Sequence, residues 1–77
     1  MKISDYISEV GPEVAAHVFG CAVSTAKSYR NGIRKVDPER VIDLAGRTGW
    51  KVTPHEIRPD LYPHPSDGLP DYLRNAA

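Results

Sequence analysis

AAHVFGCAVSTAKSYRN, residues 15–31, is the stretch that decides the fold. One short helical pattern stops at Gly20, and a second resumes within about four residues. The exposed positions of the second pattern are small, polar or basic. Two helices joined by so tight a corner have the layout of a helix-turn-helix, whose second helix can lie in the major groove of DNA. Gly20 suits the corner, because a tight turn there needs a left-handed residue without a Cβ penalty. Ala16 and Ala26 are small, as a close crossing of the two helices requires. With Ala26 and Tyr29 turned to the core, Val23, Ser24, Lys27, Ser28 and Asn31 turn outward.

Working outward, Ile3, Tyr6, Ile7 and Val10 recur at i, i+3, i+4 and i+7 and predict a first helix over residues 4–10, with Ser4 as its cap. Gly11-Pro12 breaks it and starts a second helix over 12–19, burying Val14, Val18 and Phe19. The third helix starts at Val23 or Ser24, runs to Arg30 and is ended by Asn31-Gly32; the loop Ile33-Arg34-Lys35-Val36 follows. A fourth is predicted from Asp37 as N-cap and Pro38 as first residue, with Glu39 at the positive helix end. Val36 and Val41 form its hydrophobic staple. Val41, Leu44, Ala45 and Thr48 make its inner face, with Ile42 flanking, and Gly49 stops it. Trp50-Lys51-Val52 reads as a short extended piece that packs the single Trp over the core. Thr53-Pro54-His55-Glu56 reads as a capping box, with Val52 and Ile57 as its staple. The turn it starts must be brief, because Pro59 disfavours helix at Arg58. Pro63, Pro65, Gly68 and Pro70 then suggest an extended, mobile tail. The expected architecture is an all-α bundle of four to five helices over residues 1–62 and a Pro-rich tail over 63–77.

A chain of 77 residues has room for one small domain and buries only about 60% of its unfolded surface. One cysteine, Cys21, allows no intrachain disulfide and points to a reducing compartment. It falls in the corner of the two-helix motif and is expected to pack inward as a buried thiol. The first eleven residues carry Asp5 and Glu9 and no long apolar run, so they do not read as a signal peptide. No stretch approaches the ~20 apolar residues of a membrane span. The expected location is the cytoplasm of a cell without a nucleus, at the nucleoid, or of one whose import signal is not legible here.

The formal net charge is +0, yet its distribution is uneven. Residues 27–51 hold seven basic against three acidic side chains, while the segments on either side each sum to −2. The basic block starts inside the third helix, where phosphates would lie. Lys27 can reach guanine acceptors or a phosphate, Asn31 an adenine or a phosphate, and Ser24 and Ser28 either kind of group. Val23 offers an apolar contact such as to a thymine methyl. Arg30, Arg34, Lys35 and Arg40 read as phosphate clamps that set position without reading sequence.

Other chemistries find little support. There is no Gly-rich phosphate loop, G-x-S-x-G elbow or H-E-x-x-H. His55 and Glu56 are adjacent, but the capping box accounts for both. His17 and Cys21 are four apart with Gly20 between them, and His55 and His64 lie far along the chain, so no closed metal set is expected. Neither enzyme activity nor a cofactor is expected.

Residues 11–63, GPEVAAHVFGCAVSTAKSYRNGIRKVDPERVIDLAGRTGWKVTPHEIRPDLYP, resemble the YdaS-type prophage regulators, Cro-like helix-turn-helix proteins of which some are classed as antitoxins. The resemblance rests on the small-residue helix ending at Gly20, Arg34-Lys35 ahead of Asp37-Pro38-Glu39-Arg40-Val41, Thr48-Gly49, and above all the block from Val52 to Pro63. It implies a five-helix domain of the lambda-repressor and Cro type, operator binding by the third helix, and repression, often as a dimer. Family members tend to have Ser and Gln where this chain has Ala22 and Val23, a branched residue at Ala26, and often Trp at Tyr29. The missing Gln removes a bidentate base contact and shifts the expected readout onto Lys27, Ser28, the backbone clamps or DNA shape. The expected partner is duplex DNA, bound by a homodimer or several copies. The alternative is a protein-interaction module, in which the scaffold and the acidic tail hold a toxin or another regulator.

Overall fold

The computed structural model describes residues 1–74, and among these every regular element is helical. The order is α1 (Ile3–Val10), α2 (Pro12–Phe19), α3 (Val23–Arg30), a 3₁₀ turn (Pro38–Arg40) running directly into α4 (Val41–Arg47), α5 (Pro54–Ile57) and α6 (Asp71–Arg74). α3 packs on both α1 and α2, and α4 bridges α2 and α5.

The core follows the apolar spacing. Tyr6 and Ile7 of α1, Ala15, Ala16 and Phe19 of α2, and Ala26 and Tyr29 of α3 are all buried, and Val36, Val41, Leu44 and Val52 close the other side. The rings of Tyr6 and Phe19 lie 5.8 Å apart between centroids and are tilted by 36°. Tilted pairs at this distance are favourable beyond their buried area. Alanines at positions 15, 16 and 26 let the first three helices approach closely.

α2, α3 and α4 end alike. After α2, Gly20 takes a left-handed conformation (φ 68°), its N–H donates to His17 O, and the Cys21 N–H donates to Ala16 O. This is a Schellman motif, which satisfies carbonyls that the helix end would leave open. The residue after the glycine commonly packs back on the last turn, and Cys21 does so, half-buried against the core. The same pair of bonds closes α3 at Gly32 and α4 at Gly49. The α2 end is further tied by two arginines: Arg40 Nη2 donates to Phe19 O at 2.7 Å, and Arg47 Nη1 donates to Val18 O at 3.3 Å.

Five local expectations are corrected. Lys2, not Ser4, holds the N-cap position of α1, and no side chain caps that end. Val14 is 53% exposed, because Ala15 and Ala16 take the inner face of α2. Asp37 precedes α4 as foreseen, but without a side-chain cap bond, and the first turn after it is 3₁₀ rather than α. Trp50-Lys51-Val52 is not extended. The Trp50 N–H donates to Ala45 O in the closing motif of α4, and Trp50 itself has φ 64°. Thr48 Oγ1 then donates to Ala45 O and accepts from the Val52 N–H, pulling the chain back on itself. The indole ring lies over Gly46, where an added Cβ would sit 3.3 Å from Cζ2.

The tail, fifth, is folded in its described part: residues 63–74 form turns and one helical turn instead of an extended tail. The His64 N–H donates to Asp67 Oδ2, the Asp67 N–H donates to His64 O, and Arg74 Nε donates to Ser66 O. Gly68 packs against Ile42 and Pro54 so closely that a Cβ would stand 2.7 Å from Ile42 Cδ1. The remaining three residues of the tail lie outside the described residues.

The capping box of α5 forms as read. The Glu56 N–H donates to Thr53 Oγ1 at 3.2 Å, and the Thr53 N–H donates to Glu56 Oε1 at 3.2 Å.

Candidate nucleic-acid interface

α3 is an eight-residue helix, VSTAKSYR, without an acidic residue. Ala26 and Tyr29 anchor its inner side, so the outer side is set by the period of the helix. Ser24, Lys27 and Asn31 are exposed on that side, and Ser28, half-buried, lies beside them. The spacing i, i+3, i+4, i+7 puts these four on one face. Val23, expected as an apolar contact on the same face, is half-buried against the core and shows solvent only part of its side chain.

The polar groups of this face have local partners that leave donors and acceptors open. Ser28 Oγ donates to Ser24 O at 3.0 Å, which uses the hydroxyl proton and leaves the oxygen's lone pairs. Arg30 Nε donates to Asn31 Oδ1 at 3.3 Å. The Asn31 amide keeps both protons and a second lone pair on its oxygen, enough for a paired contact to a base edge or a phosphate.

The electrostatics separate the arginines and lysines into two groups. Arg47 pairs with Asp43 at 3.0 Å, Arg40 lies 3.8 Å from the same carboxylate, and Arg58 pairs with Asp60 at 2.8 Å. These three hold the fold together: Arg40 and Arg47 tie the end of α2, and Arg58 Nη1 donates to Val36 O at 2.8 Å. Arg40, expected as a phosphate clamp, therefore has a structural task. By contrast, Lys27, Arg30, Arg34 and Lys35 have no carboxylate partner among the described residues, and all but Arg30 are exposed. They follow one another along α3 and the loop after it. Within the basic block seen in the sequence, only Arg40 and Arg47 pair with a carboxylate, both with Asp43, and four of the five other cations, all but Lys51, lie on α3 and the loop after it.

Ile33 lies within that loop and is 79% exposed. It occupies the place after a closing glycine where Cys21 and Trp50 fold back onto their helices, yet it does not fold back.

Asp60 is held well below its ordinary 3.8, at about 2, chiefly by the Arg58 hydrogen bonds. Burial pushes Glu56 up, but hydrogen bonds from the Met1 ammonium and from Thr53 outweigh it, and the net shift is downward from 4.5. His55 is explained by a bond the capping box does not contain: Nδ1 lies 2.7 Å from Tyr62 O, to which it donates.

The sequence pattern assigns no role to Arg47 or Arg58. Asp43 four residues before Arg47 was the available signal for one; no short-range pattern announces the Arg58 bond to Val36. Among the described residues no three His, Cys, Asp or Glu side chains gather closely enough to hold a metal ion, and no helix is long and apolar enough to cross a membrane. No protein-family model matches the chain, and neither the curated proteins nor the solved structures yield a match.

Proposed function

We propose that this chain is a sequence-specific DNA-binding regulator that inserts α3 into the major groove as the second helix of a helix-turn-helix. The observation that carries this is the coincidence of two features on α3. Its outer face presents Ser24, Lys27, Ser28 and Asn31, and the cations Lys27, Arg30, Arg34 and Lys35 along it and just beyond form no ion pair among the described residues. Helix-borne amides, hydroxyls and an ammonium suit base edges, while the loop cations suit the flanking phosphates. The resemblance of residues 11–63 to Cro-like prophage regulators points the same way. A single module of this kind buries about 600–1,000 Å² on DNA, so useful affinity calls for a homodimer on paired half-sites or for several copies.

The test is selection of bound duplexes from a random-sequence pool, followed by fluorescence anisotropy with the enriched sequence and a scrambled one. Enrichment of a short motif, with the cognate duplex bound at least tenfold more tightly, supports the proposal. A pool that stays random through repeated rounds, at low and moderate salt, refutes it.

A protein partner is the second reading. It is favoured by the exposure of large apolar side chains, Ile33 at 79% and Tyr72 at 68%, and by the overall neutrality of the chain. The two functions coincide in an autoregulating antitoxin.

A further inference from the structure

A groove of about 520 Å³ opens between the start of α1, the end of α3 and α5. Its lining is mostly apolar, with Ile3, Tyr29 and Pro59 supplying hydrocarbon and an aromatic ring. Two cations, Lys2 and Arg30, line it as well, and neither has a carboxylate partner among the described residues. The bond from Arg30 Nε to Asn31 Oδ1 holds the guanidinium in place and leaves both Nη groups to donate elsewhere. One carboxylate lines the groove, that of Glu56, and it is already bound by the Met1 ammonium and by Thr53. The groove is therefore apolar in body and positive in net character.

Pockets of roughly 300–1,000 Å³ with an apolar lining and a few placed polar groups are the usual form of small-molecule sites. An inorganic anion would meet the two cations but leave the apolar lining facing water. A neutral apolar molecule would cover the lining but leave the cations unanswered. We propose that this groove binds a small aromatic carboxylate. Its ring lies on Ile3, Tyr29 and Pro59, and its carboxylate accepts from the Arg30 guanidinium and the Lys2 ammonium. A carboxylate can take the planar guanidinium by two parallel bonds, which gives Arg30 the larger share. The site shares Arg30 and Asn31 with the proposed DNA face, and its test needs no DNA.

The probes are indole-3-acetate and its neutral amide, indole-3-acetamide, titrated into the unmodified chain and followed by amide ¹H–¹⁵N spectra. The expected result is saturable shifts at Ile3, Ser4, Tyr29, Arg30 and Gly32 with the acid, and binding of the amide about fivefold weaker or more. Lys2→Gln and Arg30→Gln should each weaken the acid by up to about fivefold with the rest of the spectrum preserved. Inorganic phosphate should produce no saturable shift there. The proposal is overturned if acid and amide bind equally, if the shifts map elsewhere, if phosphate binds as tightly, if neither variant weakens binding, or if the acid does not saturate up to its solubility limit.

Discussion

Replacing Gly20 by alanine tests the corner on which the orientation of α3 depends. The substituted residue would have to keep φ near 68°. A left-handed conformation costs an L-residue about 1–2 kcal/mol. Sterics add nothing, because the nearest atom to the new Cβ is Arg47 Nη1 at 3.8 Å, an ordinary contact. That guanidinium, held by Val18 O and Asp43, has no need to move. Alanine also stiffens the unfolded chain, which returns about 0.4–1 kcal/mol. The net loss is then about 1 kcal/mol. For a domain of this length that lowers the melting temperature by about 4–8 °C. Thermal unfolding followed by far-UV circular dichroism, with urea unfolding in parallel, reads the effect. Gly20→Asn should lose less, since asparagine tolerates the left-handed region better than other non-glycine residues. A raised melting temperature in Gly20→Ala would show that the corner is not left-handed. A loss beyond about 3 kcal/mol would show that the Cβ meets atoms the structure does not place there.

Three further outcomes follow from the same geometry. Lys27→Ala or Asn31→Ala should narrow the gap between cognate and scrambled DNA, whereas Arg34→Ala should weaken both about equally and flatten the salt dependence; equal losses on both duplexes for all three would reject these roles in anisotropy titrations. Gly68→Ala would drive a Cβ into Ile42 and Pro54 at a residue with φ 77°, so hydrogen exchange should quicken across residues 64–74 and stay unchanged in α1–α3; uniform exchange along the chain would contradict the docking of this segment. Asp60 and Glu56 both have folded values below their ordinary 3.8 and 4.5, so the native state holds fewer protons than the unfolded chain as pH falls through that range. The stability they confer is complete above the ordinary values and is lost as pH drops toward about 2, where Asp60 titrates in the fold. Urea midpoints measured at a series of pH values should show Asp60→Asn without the lower part of that decline, and superimposable wild-type and variant curves would sink the assignment.

The sequence by itself determined the elements whose cause is local. Apolar spacing placed α1, α2 and α3, and the glycines at 20, 32 and 49 marked the ends of α2, α3 and α4, because a reversal of handedness after a helix is a property of one residue. The box from Thr53 to Glu56 was equally legible, since both of its bonds span three residues. The outward set Ser24, Lys27, Ser28 and Asn31 followed from the inward pair Ala26 and Tyr29 by the helical period, which also turned Val23 outward where the structure half-buries it.

Tertiary structure decided what depends on partners far along the chain. Nothing near Arg40 shows that it donates to Phe19 twenty-one residues earlier, or near Arg58 that it donates to Val36 twenty-two residues earlier. These bonds set cations that hold the fold apart from the cations left over at the end of α3. The same holds for Trp50, which folds onto Gly46, and for the proline-rich tail, which settles against Ile42 and Pro54. Local propensity favoured extended chain in both places. Closing bonds to carbonyls and hydroxyls on α4, and contact with an apolar surface, prevailed there because they satisfy groups and cover area that no short stretch can present to itself.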